Sequence, residues 1–136
     1  MAYQMTFERY ELKYLLTRQE KEQIMKTMKS YMELDAYGRT TIRNIYFDTD
    51  TFRLIRHSLE KPVYKEKLRI RSYSQLHTEE PVFVEIKKKY KSVVYKRRLQ
   101  LPEGVVMESF QKGKSLPVHS QIGAEIQYFR DYYKNL

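Results

Sequence analysis

At 136 residues the chain has the length of one domain, and a fold of this size buries about two-thirds of its surface; its 26 Lys and Arg outnumber 17 Asp and Glu, for a net charge of +9. The lack of cysteine excludes a disulfide framework and any thiolate nucleophile or metal site. No run approaches the ~20 apolar residues that cross a bilayer, and the charged start (Glu8, Arg9, Glu11, Lys13) holds no signal-peptide core, so the expected compartment is the cytoplasm.

Alternation predicts a first strand over residues 7–15, with Arg9, Glu11 and Lys13 on one face and Tyr10, Leu12 and Tyr14 on the other. Thr17 precedes Glu20 by three residues, a capping box that opens a helix over about 18–33. Its stripe of Ile24, Met28, Tyr31 and Met32 is expected to face the core. After a turn at 35–38, a strand over about 40–47 sets Thr41, Arg43 and Ile45 against Ile42, Asn44 and Tyr46. Asp48, Thr49 and Asp50 end it and offer a cap to a short helix near 51–59. Strands follow over 65–72, 82–90 and 93–101, with a polar connection at 75–81 and a tight hairpin at Lys91-Ser92. Helices are expected near 105–112 and 120–135, the last with Ile122, Ile126, Phe129 and Tyr133 on one stripe. This order predicts an α+β domain with a mostly antiparallel, curved sheet and flanking helices.

Charge is concentrated in the middle strands. Between Lys65 and Arg98 there are eleven Lys and Arg against four Glu, so this segment carries seven of the nine net charges. Lys65, Lys67, Arg69 and Arg71 share one strand face. On the next strand Glu85, Lys87 and Lys89 share a face, opposite Val82, Val84 and Ile86. A row of like charges repels itself, and a polyanion lying on it would relieve the strain. Phosphate is the expected anion. Lys88 and Arg97 fall on the opposite face, and these, with Lys89 and Lys91, read as solvated surface. His57, His77 and His119 stand without partners at ligand spacing, and four glycines form no phosphate loop.

The motifs Phe7-Glu8-Arg9-Tyr10-Glu11-Leu12-Lys13-Tyr14, Ile45-Tyr46-Phe47-Asp48-Thr49, Leu68-Arg69-Ile70-Arg71, Val84-Glu85-Ile86-Lys87-Lys88-Lys89 and Tyr95-Lys96-Arg97-Arg98 occur in this order. Together they resemble a VTC domain, the polyphosphate polymerase domain of the vacuolar transporter chaperone family, within the triphosphate tunnel (CYTH-like) superfamily. The resemblance implies an antiparallel barrel lined with Lys and Arg that binds ATP, triphosphate or polyphosphate. It also implies a divalent metal, Mn or Mg, held by acidic residues, and transfer of the γ-phosphoryl of ATP to a growing chain. Carried over by motif, Arg9, Lys13, Arg69, Arg71, Lys87, Lys96 and Arg98 are the phosphate-binding candidates, with Lys13, Arg69, Arg71 and Lys87 as the catalytic set. Face sharing alone adds Lys67 and Arg43. Glu11 and Glu85 are the acidic candidates on the charged face, as metal ligands or as partners that hold the cations in place. Arg9 stands where the wider superfamily has a Glu, which resembles the VTC branch. The family pattern implies further strands beyond residue 136, so the chain matches the N-terminal portion of such a domain and is expected to be inactive alone.

Two other readings stay open: a catalytically silent polyphosphate-binding module, and a nucleic-acid-binding domain in which some of the thirteen tyrosines stack on bases. The latter needs aromatics on the charged face, where Tyr73 and Tyr95 are the candidates. An unfinished sheet edge invites homodimerisation, and the family resemblance implies a membrane-bound partner subunit.

Overall fold

The structure is a computed structural model that describes residues 6–73, 77–134 and 136, without the side chains of Phe7 and Arg9. Its elements, in chain order, are β1 (Thr6–Tyr10), α1 (Arg18–Met28), β2 (Arg43–Phe47), α2 (Arg53–Leu59), β3 (Tyr64–Ser72), β4 (Pro81–Tyr90), β5 (Val93–Pro102), α3 (Glu103–Gln111) and α4 (Gln121–Tyr133). The expected connection at 75–81 lies within the described residues only from His77 onward.

The strands form one antiparallel sheet in the order β1-β5-β4-β3-β2. This bears out an α+β fold with an antiparallel sheet. The sheet is open: β1 and β2 are its two edges, so the described residues do not form a closed barrel. The β4–β5 hairpin turns through Lys91 and Ser92, both with positive φ (45° and 70°), as a two-residue turn matched to strand twist requires.

One face of the sheet meets the helices. Leu68, Ile70, Val82, Val84, Ile86 and Leu99 point from β3, β4 and β5 toward Leu54 of α2, Val106 of α3 and Ile122, Ile126 and Phe129 of α4, and all are buried. At roughly 25 cal/mol per Å² of apolar surface removed from water, this layer is the main source of stability. The stripe expected on α4 is the one it buries. A half-buried charge also lies on this side, where Tyr64 and Tyr133 donate to the two Glu66 carboxylate oxygens at 2.8 and 2.7 Å.

Two expectations are corrected, and a third is borne out. The first strand stops at Tyr10 rather than residue 15, because Tyr10 pairs with Val93, the first residue of β5, and beyond it there is no partner backbone. Helix α1 carries the expected capping box, with Thr17 Oγ1 accepting from Glu20 N–H and the Glu20 carboxylate accepting from Thr17 N–H. Yet none of its residues is buried, and Ile24, Tyr31 and Met32 remain exposed. A helical stripe says which side is apolar; it does not supply the surface that covers it. The cap expected for α2 is borne out: the Asp48 oxygens accept from Leu54 and Ile55 N–H at 2.8 and 2.9 Å, while Phe52, just before the helix, adopts a left-handed conformation.

Candidate functional site

The other sheet face carries the cations, and the strand register sets them in rows. Lys65 lies opposite Lys89; Lys67 opposite Lys87, which lies opposite Lys96; and Arg69 opposite Glu85, which lies opposite Arg98. Neighbouring antiparallel partners hold their Cβ atoms about 4.5–5.5 Å apart, so the lysine rows are close like-charge contacts, while the third row sets Glu85 between two arginines. Arg71 continues the face opposite Phe83. The edge strand β2 adds Asn44 opposite Arg71 and Tyr46 opposite Arg69.

Two kinds of site share this face. At the lysine end, Lys13, Lys65, Lys67, Lys87 and Lys89 surround a recess of about 310 Å³ together with Glu11, Tyr46 and Val94. The Glu11 carboxylate sits 3.3 Å from Lys87 Nζ and 3.6 Å from Lys13 Nζ. Desolvation lowers the Lys65 pKa, and its neighbours Lys67, Lys89, Lys13 and Lys87 lower it further. Desolvation also outweighs Glu11 at Lys87, whose pKa falls as well. These ammonium groups are held charged at a cost that an anion would remove.

At the arginine end the organising group is Glu85, which is 0 % exposed. Its carboxylate accepts a short hydrogen bond from Arg69 Nε at 2.5 Å and lies 3.9 Å from both Arg71 Nε and Arg98 NH1. Arg69 NH1 donates to Tyr46 Oη at 2.9 Å, and Arg71 Nε to Asn44 Oδ1 at 2.9 Å. The Arg98 guanidinium lies 4.4 Å over the Phe83 ring. Burial opposes the Arg69 charge, but Glu85 and the Tyr46 hydrogen bond win and raise its pKa. A guanidinium anchored through one edge keeps the rest of its planar fork for two oxygens of a phosphate.

Lys13, Lys67, Arg69, Arg71, Lys87, Lys96 and Arg98 thus lie with Glu11 and Glu85 on one side of the molecule. Arg43 does not. It pairs with Ser72, whose side chain is buried beside the core, so Arg43 belongs to the helix-facing side and not to the cation cluster. Arg9 pairs with Val94 through its backbone, but its side chain lies outside the described residues. Lys89, read from the sequence as surface, lines the recess. Tyr95 turns to the helix side, opposite Lys88 and Glu8, while Tyr46, Phe83 and Tyr73 stand beside the arginines. Only the pairing of β2 with β3 brings Tyr46 and Asn44 to the cations, whereas Phe83 shares the face of Glu85, Lys87 and Lys89 by alternation along β4.

A larger recess of about 920 Å³ lies on the opposite face between α2 and α4, lined by Arg53, Tyr64, Glu66, Glu125 and Tyr132 among others. Its charges alternate in sign, and Glu125 is already paired with Arg97. The smaller recess is the better ligand site, since unbalanced like charge is what a bound ion would stabilise.

A family model described as the VTC domain matches residues 8–135. The chain belongs to the VTC domain family. That membership supports a polyphosphate-related function. Searches of curated proteins and of solved structures returned no match. The divalent metal that the family implies meets a poor set of ligands in this VTC chain. Glu85 is covered by three guanidiniums and Glu11 by two ammonium groups, each of which repels a cation. Among the described residues no three His, Asp or Glu side chains gather at metal-binding distance. The groups on this face fit an anion and do not fit a metal ion. No helix of the described residues is long and apolar enough to cross a membrane.

Proposed function

We propose that this VTC chain binds triphosphate and linear polyphosphate along the charged face of its sheet, and that it serves transfer of the γ-phosphoryl group of ATP to a growing polyphosphate chain. The observation that carries this reading is the recess in which five lysines meet a single carboxylate, Glu11. Phosphoryl transfer asks the protein for charge neutralisation and in-line positioning more than for covalent chemistry. Arg69, Arg71 and Arg98 are suited to orient phosphate oxygens, because Glu85 holds their guanidiniums. Lys13, Lys67 and Lys87, on flexible stems, are suited to follow charge as a chain advances. We assign no step to a metal held by this chain; manganese or magnesium would enter with the triphosphate. The same reading places the chain in the cytoplasm, with a membrane-bound partner subunit and pairing through the β1 or β2 edge as further proposals.

Two observations keep other readings in the test. Both acidic groups of the face are occupied by cations, as in a module that binds polyphosphate without acting on it. Tyr46 and Tyr73, more than a third exposed beside Arg69 and Arg71, offer surfaces on which bases can stack. Competition at fixed salt between tripolyphosphate and a single-stranded oligonucleotide of equal charge separates them, since both gain from counterion release. Preference for tripolyphosphate is expected, and tighter oligonucleotide binding would overturn the proposal. Polyphosphate formation from ATP with manganese or magnesium then separates polymerase from silent binder.

A further inference from the structure

We propose that the edge strand β2 supplies neutral hydrogen-bond donors to the bound phosphate chain, through the Tyr46 phenol and the Asn44 amide. This rests on the reading of the charged face as a polyphosphate site and adds to it a second kind of ligand group.

The argument starts from register. Tyr46 and Asn44 alternate along β2 opposite Arg69 and Arg71, so both stand on the cation face at its edge. Each accepts a hydrogen bond from its arginine, Tyr46 Oη from Arg69 NH1 and Asn44 Oδ1 from Arg71 Nε, both at 2.9 Å. Arginine only donates, so the Asn44 atom turned toward it must be the oxygen, and the amide orientation follows from chemistry. A phenol whose oxygen accepts still has its own O–H to give, and such an amide still has two N–H groups. Among the described residues neither side chain donates to a protein acceptor. Both are exposed, Tyr46 by 54 %, and Tyr46 also forms part of the recess wall near Lys67. Their remaining donors are therefore available to a ligand.

Charge explains why neutral donors belong here. The face already holds closely spaced lysines with depressed pKa values, and each added cation would raise the repulsion. A phosphate chain presents more non-bridging oxygens than charges. Neutral donors serve the surplus oxygens without that penalty. The Tyr46 phenol fits the role: partial burial works against its ionisation, but the Arg69 hydrogen bond and the charges of Arg69, Arg71 and Lys67 prevail and lower its pKa, making it a stronger donor.

The test is titration of the purified chain with tripolyphosphate over a series of salt concentrations, for wild type, Tyr46→Phe, Asn44→Ala and Lys67→Ala. Phe keeps the ring that lies 5.8 Å from Lys67 Nζ and from the Arg69 guanidinium, so the packing of this edge is retained. Tyr46→Phe and Asn44→Ala should each weaken binding roughly tenfold, the worth of one charge-assisted hydrogen bond. The slope of affinity against salt should match wild type, because no charge is removed, whereas Lys67→Ala should flatten it. The Asn44→Ala loss should persist in an Arg71→Ala background, as direct contact requires. Wild-type affinity in either variant overturns the proposal for that residue. A flattened slope, or a loss that vanishes without Arg71, overturns it by showing that these groups only hold the arginines in place. Failure of the wild-type chain to bind tripolyphosphate would instead overturn the polyphosphate reading itself.

Discussion

Glu85 shows how one residue can determine what its neighbours are able to do. Completely buried, it would be costly as a lone carboxylate, and Arg69, Arg71 and Arg98 share it. Removing Arg69 would take the hydrogen-bonded partner from a buried charge, so Arg71, 3.9 Å away, is the better probe of binding. Arg71→Ala is expected to weaken triphosphate binding by about 1.5–3 kcal/mol through loss of a charge-assisted contact. Lys88→Ala, on the helix side opposite Glu66 and Tyr95, should change it by less than roughly 0.5 kcal/mol. Isothermal titration of the two variants checks this. Equal losses would mean that total charge, and not the face a cation occupies, governs binding.

Among the elements, α4 contributes most to the helix layer, and its start is tightly built. Ser120 caps it, with its Oγ accepting from Gly123 N–H at 3.1 Å. A Cβ placed on Gly123 would lie 2.8 Å from the Val118 carbonyl oxygen, a backbone atom that cannot swing aside. Gly123→Ala should therefore destabilise the fold by about 1–3 kcal/mol, the usual cost of overpacking, read as a lower urea midpoint with an unchanged slope. An unshifted midpoint would show that the turn over 118–120 yields freely. Helix α1 is the contrast: its capping box is complete, yet it buries no side chain. Its helicity rests on local hydrogen bonds and propensity.

Across the molecule, proton linkage follows from the crowding of lysines. Lys65 and Lys87 have pKa values below the ordinary lysine range in the folded chain. Between the depressed and the ordinary pKa the unfolded chain binds more protons than the folded one, so these two groups make stability rise with pH in that alkaline window. Below the window both states are protonated and the full repulsive cost is present. A bound polyphosphate reverses the effect by favouring the charged lysines. Binding within that alkaline window, where the phosphate groups are fully ionised, should take up protons, and affinity should fall as pH rises further. Calorimetry in two buffers of different ionisation enthalpy measures the uptake. Binding without proton exchange would show that the ligand does not rest on these lysines.

The sequence by itself determined which side chains share a face. Strand alternation is local, so Lys65, Lys67, Arg69 and Arg71 stand together whatever surrounds them, as do Glu85, Lys87 and Lys89. The α4 stripe and the Thr17 cap were legible for the same reason, since each depends only on residues within a few turns. Tertiary structure decided which faces meet. On β2 the two alternating sets, Arg43 with Ile45 and Asn44 with Tyr46, are similar in polarity, and only pairing with β3 sent Arg43 to the helices and Tyr46 to the cations. Pairing with β5 likewise ended β1 at Tyr10, although its alternation continues. The α1 stripe reads as core in the sequence and is exposed in the structure, because burial requires a second surface and that is a property of the whole fold. Periodicity is written in the order of the residues; register and cover come from contacts between segments distant along the chain.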